Sequence, residues 1–200
     1  MTLFQLLMLA ASAFFAYKIY EHVQTLKDEP ARGEDNDMPR SAEAFSVFSP
    51  ESLTLRADEA YEEGDYSKAM ALLNEAHAKD PSNGEILFKL GYMQYKNNLL
   101  EDAIDSYKGA LELDKENEYI HNSLASVYRE KEEFASARMH LNASLDIDDT
   151  NPATYFNYGN LLVDMKNIPE AIRMYEKALE LEPELEAAKI EIEKLRAQQG

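Results

Sequence analysis

Glu130, Glu132 and Glu133 lie close enough in the chain to raise the question of paired-carboxylate chemistry. General acid–base work needs two such groups in unlike, partly dry surroundings that separate their pKa values. These glutamates, like the other acidic pairs of the chain, are spaced as a solvated helix face, and nothing around them marks a desolvated site. The four histidines, at 22, 77, 121 and 140, show no paired spacing for a metal. There is no cysteine, which removes disulfides, thiolate ligands and thiol nucleophiles. No glycine loop of the phosphate-binding kind is present; the few glycines serve turns and helix contacts. Asn142-Ala143-Ser144 fits the glycosylation acceptor pattern but falls inside a helical run. These residues predict no catalysis, no cofactor and no metal.

Charge narrows the partners. With 38 acidic and 20 basic residues, the formal net charge is −18. Such a chain repels phosphate backbones, so nucleic acid is not an expected partner. The plain reading of the carboxylates is a solvated acidic surface; the sharper one is attraction to a basic partner. Oligomeric state does not follow from any of this.

The elements that would position a binding site are legible in three columns of small residues. Ala69, Ala103, Ala137 and Ala171 stand 34 residues apart, as do Ala57, Gly91, Ala125 and Gly159, and again Ala76, Ala110, Ser144 and Ala178. A fixed period of this length marks a stacked repeat array. Turn signals recur in phase with it. Ser49-Pro50 opens a helix, Gly64-Asp65 breaks the first repeat, and Asp80-Pro81-Ser82-Asn83-Gly84 separates the first two. Ser82 with Glu85 reads as a capping box. Asn97-Asn98 interrupts the second repeat, Asn151-Pro152 opens the fourth, and Pro183 closes it. No stretch alternates with period two, so no sheet is predicted.

The repeats are read as residues 50–83, 84–117, 118–151 and 152–185. Each helix pair buries one face and needs neighbours above and below. Where helices cross closely, a side chain longer than a methyl would hold them apart, hence the small columns. Leu53, Leu90, Leu124, Tyr128 and Leu162 fill the space on first helices, and Leu73, Tyr107, Leu141 and Tyr175 on second helices. Residues 186–198 read as a capping helix with Leu185, Ala188, Ile192 and Leu195 on one stripe. Glu193 and Arg196 stand where a fifth pair would have to stack.

These columns resemble the tetratricopeptide repeat, a helix-turn-helix unit with small, aromatic and closing proline residues at set offsets. Tyr155, Gly159, Ala171, Tyr175, Ala178 and Pro183 match it in the fourth repeat; Lys115 and Asp149 replace the proline in the second and third. The resemblance implies an all-α fold, a right-handed superhelical α-solenoid of four helix pairs plus a capping helix. It also implies that first helices line a concave groove. The family's contact offsets fall on Phe88, Tyr92, Tyr95, Lys96, Tyr119, Asn122, Ser126, Arg129, Phe156 and Asn160. Aromatic residues interleaved with Asn and Arg suit an extended or helical peptide, although periodic aromatics also serve as core. The offsets at which some relatives clamp acidic chaperone tails hold Thr54, Asp58, Lys89, Tyr119 and Ser123, a poor match to that use.

Residues 2–22 are nearly uncharged from Leu3 to Tyr17. A spanning helix requires about 20 mostly apolar residues, range about 17–25. A single-pass anchor is the favoured reading. A signal peptide cleaved after Ala11-Ser12-Ala13 and an amphipathic surface helix are the others. Lys18, Lys27 and Arg32 follow the segment and place the repeats on the cytoplasmic side. Residues 23–48 form an acidic linker whose last residues, Phe45, Val47 and Phe48, are read as packing on the first repeat. The functional expectation is a membrane-tethered, non-enzymatic adaptor or assembly scaffold holding a partner protein or peptide. The alternative is a non-catalytic regulatory subunit of a membrane enzyme complex.

Overall fold

The computed structural model describes residues 48–198. The segment 2–22, read above as an anchor, and the stretch read as a linker up to Val47 lie outside the described residues. Among the described residues, no helix is long and apolar enough to cross a membrane. Nine helices and no strands are present there: α1 (Pro50–Glu62), α2 (Tyr66–Lys79), α3 (Gly84–Lys96), α4 (Leu100–Leu113), α5 (Glu118–Glu130), α6 (Phe134–Ile147), α7 (Pro152–Asp164), α8 (Ile168–Leu181) and α9 (Glu186–Ala197).

The turns repeat as faithfully as the helices. Each first helix starts on a side-chain cap, from Ser49, Asn83, Asn117 and Asn151 in turn. Such caps satisfy amides that the first turn leaves without partners, each stabilising by about 1 kcal/mol. The capping box read at Ser82 and Glu85 is not formed. Asn83 Oδ1 accepts from the amides of Glu85 and Ile86 instead, while Ser82 donates its amide and hydroxyl to Asp80. Within each pair the hinge residue is left-handed: Gly64 at φ 79°, Asn98 and Glu132 at 60°, Lys166 at 62°. Only at Gly64 is that conformation free of side-chain crowding.

Two inter-repeat turns lack the closing proline, yet side chains hold them. Asn117 donates to Asp114 at 2.8 Å, and the Thr150 amide and hydroxyl donate to Asp148 at 2.8 and 2.7 Å. The Thr150 bonds keep the Asp148 carboxyl below the ordinary aspartate range. An Asx turn thus does what a fixed proline φ does elsewhere.

The core runs from pair to pair as contiguous clusters. Ala69, Ala103, Ala137 and Ala171 are all 0% exposed. Helix pairing also matches volumes. Gly91 faces Tyr107, and Gly159 faces Tyr175; an added Cβ would stand 2.8 and 2.4 Å from those rings. The same positions in the other two repeats hold Ala57 with Leu73 and Ala125 with Leu141, all buried. A glycine admits a ring, and an alanine takes a leucine. Phe48, the last residue of the stretch read as a linker, is 57% exposed. α9 closes the last pair with Ala188, Ile192 and Leu195 buried.

Candidate functional site

Successive first helices lie side by side, and their side chains bond across the seams. From α1 to α3, Lys89 Nζ donates to Asp58 at 2.7 Å and the hydroxyls of Tyr61 and Tyr92 meet at 3.1 Å. From α3 to α5, Tyr95 lies against Glu130 and Arg129, where burial and then the Glu130 carboxylate push its hydroxyl up to about 12. From α5 to α7, Arg129 donates to Asp164 at 2.8 Å, and Asn157 donates to Asn122 at 3.3 Å. The first helices therefore make one continuous wall of aromatic and polar groups.

The residues singled out by offset divide on this wall. Tyr92 and Lys96 come together, with the ammonium 5.7 Å from the ring centroid. Phe88 and Phe156 are partly buried and tilt against Tyr107 and Tyr175, at 5.6 and 5.5 Å between centroids. They are as much packing as surface. Tyr119 is 60% exposed. Ser126 donates to the Asn122 carbonyl, and Asn160 accepts from the Tyr175 hydroxyl at 2.7 Å. Asn122 departs most from a groove role. It is 7% exposed, and its amide donates to Ser144 at 2.8 Å and Thr154 at 2.6 Å. It joins the third repeat to the fourth from within. Tyr61, in the first repeat, is a wall residue outside those ten; it occupies the same repeat offset as Tyr95, one period earlier.

The histidines, unremarkable in sequence, meet in space. His121 Nδ1 and His140 Nδ1 are 2.9 Å apart, and Tyr128 stacks on His140 at 5.5 Å. One imidazole must donate and the other accept, so the contact requires at least one neutral ring. Burial lowers both; for His140, burial and then the charges of His121 and Lys108 bring the pKa to about 4. Among the described residues, no group of three or more ligating side chains could hold a metal. A histidine depressed in the fold takes up its proton on unfolding. Stability should therefore fall as pH drops from the unfolded value near 6.5 towards about 4. At about 1.4 kcal/mol per unit, the His140 contribution lost is about 3 kcal/mol. Urea titrations at a series of pH values should show this slope in the wild type and a flatter one in His140→Gln.

Paired helices stacked so that their first members share one wall define an all-helical repeat solenoid. Two family models described as tetratricopeptide repeat match residues 60–127 and 116–184. The chain belongs to the tetratricopeptide repeat family. The crystal structure of MamA is similar with a TM-score of 0.63 and 26% identity, covering 72% of this chain and 84% of that one. The first repeat domain of Spaghetti (RPAP3), solved bound to the HSP90 peptide SRMEEVD, is similar with a TM-score of 0.55 and 26% identity, covering 58% and 92%. In sequence, mouse RNA polymerase II-associated protein 3 is 27% identical over 116 residues, which is 58% of this chain and 18% of that protein. The chain thus spans less than a fifth of the length of that curated relative.

Proposed function

We propose that this protein is a membrane-tethered adaptor or assembly scaffold, with no catalytic role, that holds a segment of a partner protein along the wall of its first helices. The observation that carries this reading is the wall itself. Tyr92, Tyr95 and Arg129 sit on neighbouring helices, partly open to solvent, with the Lys96 ammonium over the Tyr92 ring. Aromatic and arginine side chains are those that most often dominate interfaces. The peptide bound to the Spaghetti repeats supports a peptide as ligand for this kind of surface. An acidic chaperone tail suits this chain poorly. Of the five clamp offsets only Lys89 carries a positive charge, and Asp58, at another of the five, already holds it at 2.7 Å. The uncharged run from Leu3 to Tyr17, with basic residues after it, supports a single-pass anchor with the repeats on the cytoplasmic side.

The test is crosslinking capture on carbonate-washed membranes bearing the full chain. The protein should stay with the membrane pellet and capture a partner. Tyr95→Ala with Arg129→Ala should lower capture at least tenfold, since truncating a dominant interface residue costs about 2 kcal/mol or more. Tyr119→Ala, at an exposed position, should weaken capture without moving the melting temperature. Undiminished capture by all three changes would move the binding surface off this wall.

A further inference from the structure

Between the second and third repeats, at the edge where α3 and α5 begin and α4 ends, lies an open cavity of about 410 Å³. Ligand pockets run from about 300 to 1,000 Å³, so this one has room for one long side chain and its flanks. Phe88, Leu113 and Ile120 supply apolar walls, and Glu85, Asp114 and Asn117 the polar ones. Phe88 is also a groove residue, and Tyr119 directly precedes Ile120, so the cavity adjoins the wall described above.

Its charge sign can be worked out group by group. The starts of α3 and α5 would ordinarily favour an anion through their free amides. Here those amides are taken: Asn83 accepts from Glu85 and Ile86, and Asn117 from Tyr119 and Ile120. Two carboxylates remain. Asp114 accepts only a neutral amide bond from Asn117. Glu85 has Lys89 at 3.6 Å, but that ammonium lies closer to Asp58, at 2.7 Å. The last carbonyls of α4 add negative partial charge at the same edge.

We propose that this cavity is a side-chain pocket for a lysine or arginine of the partner's bound segment, a reading that rests on the proposed groove and names the chemistry of one of its ligand positions. The aliphatic stem of such a residue lies along Phe88, Leu113 and Ile120, and its cation reaches Glu85 and Asp114. A chain with net charge −18 also steers basic segments towards itself.

The experiment uses isotope-labelled full-length protein in detergent micelles and three capped heptapeptides of glycine and serine. Their central residue is arginine, leucine or glutamate. The arginine probe should shift the amides of Gly84, Glu85, Asp114 and Asn117, and the glutamate probe should not. Glu85→Gln with Asp114→Asn should raise the dissociation constant of the arginine probe at least tenfold with unchanged melting. Equal response to leucine and arginine, or an unchanged constant in the double variant, would overturn the pocket. So would an arginine probe that moves only Tyr92 and Tyr95, which would leave the groove standing. If partner capture survives both Tyr95→Ala with Arg129→Ala and Tyr119→Ala, the groove reading fails, whatever the probes do at the cavity.

Discussion

Ala103→Asp should abolish cooperative folding of the repeats or lower their stability by roughly 3–5 kcal/mol, the penalty of an unpaired charge left in the interior. Ala103 is 0% exposed and sits in one cluster with Ile104, Tyr107 and Leu124. Its methyl is fully enclosed in that apolar cluster, so a carboxylate there would be stripped of water among apolar side chains. Domains are stable by only about 5–15 kcal/mol, so such a loss is readily seen. In a stacked array, damage at one pair also removes the surface on which its neighbours rest. Circular dichroism melting of the full chain checks this. Ala103→Ser, which adds one hydroxyl, should cost much less. An unchanged melting temperature for the aspartate variant would mean that Ala103 is not at a helix crossing.

Gly159→Ala should destabilise the fourth repeat by about 2–3 kcal/mol, the upper end of what overpacking a core costs. The sign is the informative part, because in an open helix the same change stabilises by about 1 kcal/mol. Here the new Cβ would lie 2.4 Å from Tyr175 Cε1. The ring is poorly placed to retreat: it is 1% exposed, and its hydroxyl is tied to Asn160 at 2.7 Å. Adding Tyr175→Leu recreates the Ala125 and Leu141 combination that the third repeat already uses. The double variant should recover most of the loss, giving a coupling of about 1–3 kcal/mol in a double-mutant cycle. Additive losses would show that the two side chains do not meet.

Much of this architecture was legible because helix crossings leave a signature that survives in one dimension. A close approach tolerates only small residues, and a stack repeats the approach at a fixed period. The columns through Ala69 and Ala57 therefore announced the helix pairs and the order of the stack. The pairing of Gly91 with Tyr107 and of Gly159 with Tyr175 was written there as well, since each partner follows sixteen residues later. What ties them is a volume match that becomes evident only where the helices pack, ring against glycine.

Other features were decided by tertiary structure alone. Asn122 occupies a groove offset, yet Ser144 and Thr154, on α6 and α7, take its amide and carry it into the interior. A helical offset specifies a direction, but burial depends on what the next repeat places there. The choice of Asn83 over Ser82 as cap followed from Asp80 holding the serine in the preceding turn. His121 and His140 came together because α5 and α6 are antiparallel, which a search for short ligand spacings does not detect. The pocket at Glu85 and Asp114 exists only where α3, α4 and α5 meet. Composition and period determined the helix pairs, their stacking and the acidic sign of the chain. Which polar side chains face solvent, and which are absorbed between repeats, was settled by contacts among residues nineteen to thirty-five positions apart, where local pattern carries no information.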